Sequence, residues 1–309
     1  MVTKISTKGM SREEWQKSRM ETIGGSDAAS VIGLNPYKSP YALWAEKSGK
    51  VIPEDISMKE SVRLGVELED YVARRFTEET GKKVKRDTAI IKNDDYPFAH
   101  ANVDRMVIGE KAGLECKTTS VLNLKKFKNG EYPATYYAQC VHYLAVTGLK
   151  KWYLAVLILG QDFKVFEIER DEDEIKALME AEQAFWDRVQ SNIQPDFNGS
   201  CSDTEAVSKM YPGDDADNMI DLFGMETDLL CYQELNRQIK ELKKKQEQHK
   251  LRICDAIGNN LGGFINGTKV TWKPQEYRSF QAEEFKKAYP KIDLTPFFKV
   301  STSRTFKIK

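Results

Sequence analysis

Two carboxylates and a lysine in residues 102–118 are the side chains of this sequence best suited to chemistry. Two apolar-patterned strands flank a central turn there, and symmetric pairing about that turn sets Asp104 opposite Glu115. Because side chains alternate along a strand, Glu115 and Lys117 share one face while Cys116 points to the other. Such a surface suits Mg²⁺, which binds one or two carboxylates, several waters and a substrate phosphate. An exposed hairpin with an ordinary Lys–Glu ion pair is the alternative.

A third carboxylate, Glu69, stands on an otherwise apolar face of a predicted helix. Its neighbours on a 3.6-residue repeat are small or apolar: Val62, Gly65, Val72 and Phe76. An unpaired charge among them costs several kcal/mol or shifts its pKa. A metal ligand explains Glu69 best, and an ion pair with an arginine such as Arg63 is the alternative.

A later helix carries Gln139 and Tyr143 four residues apart. At this spacing the amide and the phenol point the same way and could hold a phosphate or a water. Near the N-terminus, Ser26 follows the glycines Gly24 and Gly25 at the start of a short helix that Ser26 or Asp27 is expected to cap. Free N–H groups and the helix dipole make this an anion site, and a simple N-cap serine is the alternative.

Composition excludes some classes of protein. The 47 basic and 47 acidic residues cancel, which argues weakly against a purely electrostatic DNA binder. Local basic patches attract DNA even when the net charge of the chain is zero. Lys125 and Lys126 lie in a lysine-rich stretch and are candidate DNA contacts. No apolar run approaches the roughly 20 residues that span a bilayer, and no secretory signal is visible. Five scattered cysteines without a CxxC pair predict reduced thiols in a cytoplasmic protein.

The predicted elements divide the chain into a mixed α/β domain, a linker and a C-terminal extension. The order of elements is α-rich, then a β-meander, then helices and strands, which predicts one domain over residues 1–197. Residues 198–224 are acidic and aperiodic and predict a linker. Residues 225–309 predict a long amphipathic or coiled-coil helix followed by a small α/β module, with a hairpin near residues 262–273 and a closing strand over residues 303–308. Helices are expected over residues 11–20, 26–33, 40–48, 59–80, 136–147 and 171–190, and strands over residues 84–91, 103–108, 113–118, 152–159 and 163–168.

Taken in order, the motifs resemble a known superfamily. They are G-x-x-x-E (Gly65, Glu69), V-D (Val103, Asp104), E-x-K (Glu115, Lys117) and Q-x-x-x-Y (Gln139, Tyr143). This is the order of the PD-(D/E)xK nucleases of RecB type. The stretches at residues 23–29 and 33–37 narrow the resemblance to the YqaJ-like viral recombinase family, relatives of the phage lambda exonuclease. The resemblance spans about residues 11–190.

The resemblance implies a restriction-endonuclease-like α/β core, a mixed central sheet flanked by helices, with a C-terminal helical and β extension. It implies that Asp104, Glu115 and the backbone carbonyl of Cys116 bind metal and that Glu69 completes the shell or a second site. Lys117 would orient or deprotonate the attacking water, with Gln139 and Tyr143 beside it. Arg19 and Ser26 match a pair that holds the 5′-phosphate of the digested strand in lambda-like enzymes.

The implied function is a Mg²⁺-dependent 5′→3′ exonuclease on linear double-stranded DNA, with two ions per site and Mn²⁺ as a substitute. It would leave 3′ single strands for phage-type recombination with a RecT- or Bet-like annealing protein, and it would assemble as a ring trimer in the cytoplasm of a bacterial host. An endonuclease or nickase with the same chemistry is one alternative. A catalytically idle DNA-binding assembly protein is the other.

Overall fold

The computed structural model describes residues 1–213, 219–299 and 304–308, and the chain divides into two compact units, Met1–Pro212 and Gly213–Lys309. The strands are β1 Val2–Ser6, β2 Ile23–Gly24, β3 Val84–Arg86, β4 Ala89–Asn93, β5 Ala99–Asn102, β6 Arg105–Val107, β7 Ala112–Thr119, β8 Lys151–Ile158, β9 Asp162–Glu169, β10 Gly262–Ile265 and β11 Thr268–Thr271. The α-helices are α1 Arg12–Met20, α2 Gly25–Val31, α3 Pro40–Lys47, α4 Glu60–Thr80, α5 Ala134–Thr147, α6 Glu172–Gln190, α7 Cys201–Met210, α8 Glu226–Ile257 and α9 Ala282–Ala288. Short 3₁₀ helices span Val121–Phe127 and Thr295–Phe297.

The helix boundaries follow local capping chemistry in most places. The Ser11 and Glu14 side chains form the predicted capping box at the start of α1. Gly81 ends α4 with a φ of 71°, a left-handed conformation that glycine adopts without strain. The predicted cap of α2 is wrong. Gly24 is its N-cap residue and donates its backbone N–H to Asp27, so Ser26 lies inside the first turn.

A five-stranded mixed sheet in the order β3-β6-β7-β8-β9 carries the candidate site. In β6 and β7, Arg105 pairs with Leu114 and Met106 pairs with Gly113. This is the register that sets Asp104 opposite Glu115, so the predicted hairpin is confirmed. Next to it, β7 runs parallel to β8, which places Glu115 of β7 inside the sheet and away from its edges.

A second sheet, in the order β1-β4-β5-β2, was not anticipated. The single strand predicted over residues 84–91 is wrong, since β3 and β4 belong to different sheets. The prediction also lacked β1, β2 and β5. All three are short, and hydrophobic periodicity does not report which strands the tertiary fold brings together.

Helices cover the two faces of the five-stranded sheet. On one face, α4 buries Val72 and Phe76 against Leu114 and Tyr153. The opposite face belongs to the larger core, which contains α5 and Trp152. Because Leu114 faces α4, alternation turns Glu115 and Lys117 toward α5. The mixed α/β prediction for this unit is confirmed.

The predicted start of the linker is corrected. Within residues 198–224, α7 is an ordered helix of the first unit, and Asp203 and Ala206 on it are buried. The Ser39 N–H donates to the Ser202 hydroxyl at 2.9 Å, which joins α7 to the start of α3. Asp214, Asp215 and Asp217 of the same predicted segment lie outside the described residues.

The second unit consists of α8, the predicted hairpin β10–β11 and short helices. The turn Asn266–Gly267 has φ values of 48° and 80°, as a two-residue hairpin turn requires. In the described part of this unit only Cys254 and Ile257 are buried apolar side chains. Ser303 of the predicted closing strand lies outside the described residues, and residues 304–308 form no strand.

Candidate active site

Asp104, which is half-buried, and Glu115, which is buried, lie on neighbouring strand segments of the first unit. An Asp104 carboxylate oxygen accepts the Cys116 backbone N–H at 2.7 Å, which fastens the loop before β6 to β7. Glu115 is only 2% exposed. Burial and the neighbouring charge of Glu115 raise the pKa of Asp104 well above its usual value. Because the two carboxylates repel each other, the arrangement favours a bound cation.

Lys117 stands between Glu115 and α5. Its ammonium lies 2.5 Å from Glu115 and donates to the Gln139 amide oxygen at 2.9 Å. Burial opposes its charge, but Glu115 and Asp104 outweigh burial and raise the pKa of Lys117 above its usual range. Lys117 is therefore a fixed cation beside the two carboxylates.

Gln139 connects this charged cluster to α5. Its amide nitrogen donates to Glu115 at 2.7 Å and to the Tyr143 hydroxyl at 2.9 Å. The structure thus brings Gln139 and Tyr143 to Glu115 and Lys117. Tyr143 is buried, and burial together with Glu115 raises the pKa of its phenol well above the usual value.

Close packing fixes the Tyr143 ring on two sides. A Cβ added to Gly25 would lie 2.5 Å from the ring, so α2 approaches it through bare backbone. The Trp152 ring centroid lies 5.0 Å from the Tyr143 centroid, and a Cβ at Gly113 would lie 2.3 Å from Trp152. Two glycines and two aromatic rings therefore form one stack, which joins the glycine pair near the N-terminus to Gln139.

Glu69 has partners that the sequence did not reveal. It pairs with the guanidinium of Arg105, whose side chain is 4% exposed, and more loosely with Arg86 at 3.5 Å. Arg105 also pairs with Asp70 and donates to the Asp104 backbone carbonyl at 2.7 Å. Among the described residues, no three His, Cys, Asp or Glu side chains converge as a metal cluster. Glu69 lies near enough to add to the raised pKa of Asp104, but Arg105 holds it.

The residues present fit a hard divalent cation. Glu115 Oε2 is buried and has no hydrogen-bond partner in the described part of the chain. An orphaned carboxylate oxygen is costly without a counter-charge. Carboxylate and carbonyl oxygens are the donors that Mg²⁺ prefers. Asp104, Glu115 and the Cys116 carbonyl would hold the ion.

A second cluster lies near the start of α2. The Arg19 guanidinium donates to the Ser26 hydroxyl at 2.8 Å and lies over the Trp15 ring. The structure therefore brings the sequence-predicted pair together. Below it, Lys47 lies 2.8 Å from Asp27 and donates to the backbone carbonyls of Arg19 and Thr22.

The remaining candidates, Lys125 and Lys126, lie on the 3₁₀ helix Val121–Phe127, directly after β7. Both are exposed, while the neighbouring Phe127 is buried and anchors the segment. Lys126 also lines a surface cavity of about 450 Å³ with Tyr132. They lie on the segment that follows the strand of Glu115, in reach of solvent.

Two buried histidines, His142 on α5 and His100 on β5, were not predicted as site residues. His142 contacts Glu182 at 2.8 Å and the His100 backbone carbonyl at 2.9 Å, with the side chains of His142 and Glu182 fully buried. Burial opposes a charge on His142, but Glu182 raises its pKa above the usual value. For His100, burial and His142 lower the pKa from 6.5 to about 3. A histidine one position from Tyr143 was the only local signal for this network.

Comparison with known proteins places the chain in a family. The family model described as "YqaJ-like viral recombinase domain" matches residues 14–150. The uncharacterized protein YqaJ of Bacillus subtilis (strain 168) is 39% identical over 287 residues, which are 92% of this chain and 90% of that protein. The chain belongs to the YqaJ-like viral recombinase family. The resemblance inferred from the motifs is confirmed.

Solved structures confirm the fold class. An alkaline exonuclease, LHK-Exo, from Laribacter hongkongensis is similar with a TM-score of 0.50 at 21% identity, covering 59% of this chain and 94% of that chain. The same exonuclease in complex with dAMP is similar to the same extent, at 22% identity. Among the described residues, no helix has the length and apolar character needed to cross a membrane. All five cysteines, which the structure describes, are free thiols.

Proposed function

We propose that this protein is a divalent-metal-dependent deoxyribonuclease that digests linear double-stranded DNA from its 5′ ends. The half-buried Asp104 and the buried Glu115, with Lys117 held at 2.5 Å from Glu115, carry this proposal. The fold shared with an alkaline exonuclease and membership of the recombinase family support it. An idle DNA-binding protein would gain nothing from so costly a charge cluster.

Asp104, Glu115 and the Cys116 carbonyl would hold Mg²⁺, with Mn²⁺ as a substitute. Glu69 would complete the coordination shell of this ion or hold a second metal ion, so that the site binds two ions. To do so it would release the Arg105 guanidinium and bind the metal ion instead. When bound, such ions lower the pKa of an attacking water and stabilise charge on the leaving 3′-oxygen.

The roles of the protein side chains follow from their contacts. Lys117 is a cation in its pairing with Glu115, which favours orienting the water and stabilising the phosphate over removing a proton. Gln139 fixes Lys117 and Glu115 relative to each other through one amide group. Tyr143 fixes Gln139 in turn.

Arg19 and Ser26 would bind the 5′-phosphate of the strand being digested. A guanidinium can donate to two phosphate oxygens, and the Ser26 hydroxyl 2.8 Å away is placed to contact the same anion. Binding at an end favours an exonuclease over the endonuclease or nickase. Lys125 and Lys126 would contact the phosphate backbone. The product, a 3′ single strand, would pass to an annealing protein, and a ring-shaped homotrimer in the bacterial cytoplasm would suit continuous digestion.

Digestion of a linear duplex, labelled at one end and carrying either a 5′-phosphate or a 5′-hydroxyl, tests the proposal. The phosphorylated end should be digested faster, by about ten- to a hundredfold, because a charge-assisted hydrogen bond is worth roughly 1.5–3 kcal/mol. Arg19→Ala should remove the preference. Mg²⁺ or Mn²⁺ should support cleavage, and Ca²⁺ should support binding alone.

Two results would contradict parts of the proposal. Equal rates on both ends, together with cleavage of covalently closed circles, would assign an endonuclease. Undiminished cleavage in excess EDTA would remove the metal from the mechanism. Lys83→Ala, a change at an exposed site between α4 and β3, is the matched control and should keep the preference for the 5′-phosphate.

A further inference from the structure

The last 52 residues differ in charge from the rest of the chain. Residues 258–309 contain ten Lys and Arg residues against four Asp and Glu residues, although the whole chain has 47 of each. Within the described part of the chain, Lys269 and Lys273 are exposed and form no ion pair. A local net positive charge attracts a polyanion.

Aromatic side chains are interleaved with these cations and left in solvent. Phe264 is 74% exposed and Trp272 is 52% exposed. Further exposed aromatic residues follow along the described chain: Tyr277, Phe280, Tyr289, Phe297, Phe298 and Phe306. Only four large aliphatic residues of the described part of this segment are exposed as well: Leu261, Ile265, Ile292 and Ile308. A surface for an apolar protein partner does not need this bias toward flat rings.

The hairpin β10–β11 carries both an aromatic ring and a cation. Phe264 pairs directly with Lys269, so an aromatic ring and an ammonium share a face. The Trp272 backbone N–H donates to the Leu261 carbonyl at 3.1 Å, which continues the ladder to Trp272 at the open end of the hairpin. At the end of α8, Ile257 is buried and lines a pocket together with Gly262, Phe264 and Val270 of the hairpin.

We propose that this hairpin and the basic segment after it bind single-stranded DNA. Bases of a single strand have free faces that stack on aromatic rings, and lysines follow the phosphates alongside. A duplex hides those faces, so an intact duplex gains only the phosphate contacts. The inference does not depend on the nuclease chemistry, since it concerns the second unit and needs no metal.

Fluorescence anisotropy with the full-length protein tests it. The probe is an oligothymidine of about 20 nucleotides, longer than the sites of typical single-strand-binding folds, with fluorescein on its 5′ end so that no 5′-phosphate is present. EDTA in the buffer prevents cleavage. Unlabelled duplex and unlabelled oligothymidine serve as competitors.

The decisive variant combines Phe264→Leu with Trp272→Leu, which keeps apolar bulk and removes the aromatic faces. Because each stacked base is worth about five- to a hundredfold in affinity, the double variant should bind oligothymidine at least about tenfold more weakly. A second variant, Lys269→Gln with Lys273→Gln, should reduce the slope of log affinity against log salt by about 0.7 for each lost phosphate contact. The control, Leu235→Ala with Leu242→Ala on the exposed face of α8, should bind as wild type.

Three outcomes would overturn the proposal. One is binding by the leucine variant within about twofold of wild type while circular dichroism shows unchanged helix content. Another is duplex competing as well as oligothymidine, which would mean that the surface contacts phosphates alone. The third is a loss of affinity in the α8 control equal to that of the leucine variant, which would assign the effect to the fold of the unit.

Discussion

Adding a methyl group to Gly25 should disturb the candidate site through Tyr143. The new Cβ would lie 2.5, 2.9 and 3.0 Å from three atoms of the Tyr143 ring, closer than real side chains approach. Movement of the ring is restricted, because its centroid lies 5.0 Å from that of Trp152, which is itself in close contact with Gly113. Overpacking of this kind costs about 1–3 kcal/mol. Displacing the Tyr143 hydroxyl from Gln139 should add about 1 kcal/mol and slow cleavage.

A double-mutant cycle measured by urea unfolding checks this mechanism. Gly25→Ala alone should lower the free energy of unfolding by about 1–3 kcal/mol. In a Tyr143→Ala background the clashing atoms are gone, so Gly25→Ala should cost less than about 0.5 kcal/mol. Gly263→Ala is the matched control, since a Cβ added at Gly263 would meet no atom within 4 Å among the described residues. Additive effects of Gly25→Ala and Tyr143→Ala would refute the steric argument.

Three further predictions follow from other contacts. Glu115→Gln and Lys117→Ala should each lower kcat by at least about 10²-fold while DNA binding in Ca²⁺ persists, because both side chains act on the transition state. Near-wild-type single-turnover rates would show that this cluster is not the catalytic one. A chain ending at Pro212 should fold and unfold cooperatively, whereas a chain ending at Phe197 lacks α7 and should be less stable. The midpoints of urea unfolding measure the difference. Equal midpoints would mean that α7 does not stabilise the first unit. The pKa of His100 is near 6.5 in the unfolded chain and about 3 in the folded one, so the free energy of unfolding of wild type should fall by about 1.4 kcal/mol for each pH unit from about 6.5 toward 3. His100→Asn should flatten that pH dependence. An equal pH dependence of wild type and His100→Asn between pH 7 and 5 would contradict a buried neutral His100.

Residues related by short sequence distances were predictable. The pairing of Asp104 with Glu115 follows from a two-residue strand period and one turn. The apolar face of α4 and its end at Gly81 follow from the helical period and from the freedom of glycine at positive φ. The placing of Gln139 beside Tyr143 needs only the spacing of four residues on a helix.

Contacts between distant parts of the chain were decided by the tertiary structure. No local pattern pairs Glu69 with Arg105, because the two residues come from a helix and a strand that meet only after the sheet forms. The splitting of residues 84–91 between two sheets depends in the same way on which strands are available as neighbours. An aperiodic acidic sequence did not reveal α7, whose helix is stabilised by its Ser200 cap and by contact with the start of α3.

The sequence by itself determined which chemical groups are present and which of them share a face, since strand and helix periods are local properties of the backbone. The tertiary structure alone decided how strongly each group is perturbed. Burial raises the pKa of Asp104 and lowers that of His100, and burial depends on what packs above a residue. The close approach of Gly25 to Tyr143 has the same origin, because two segments more than a hundred residues apart must meet before a missing side chain acquires a function.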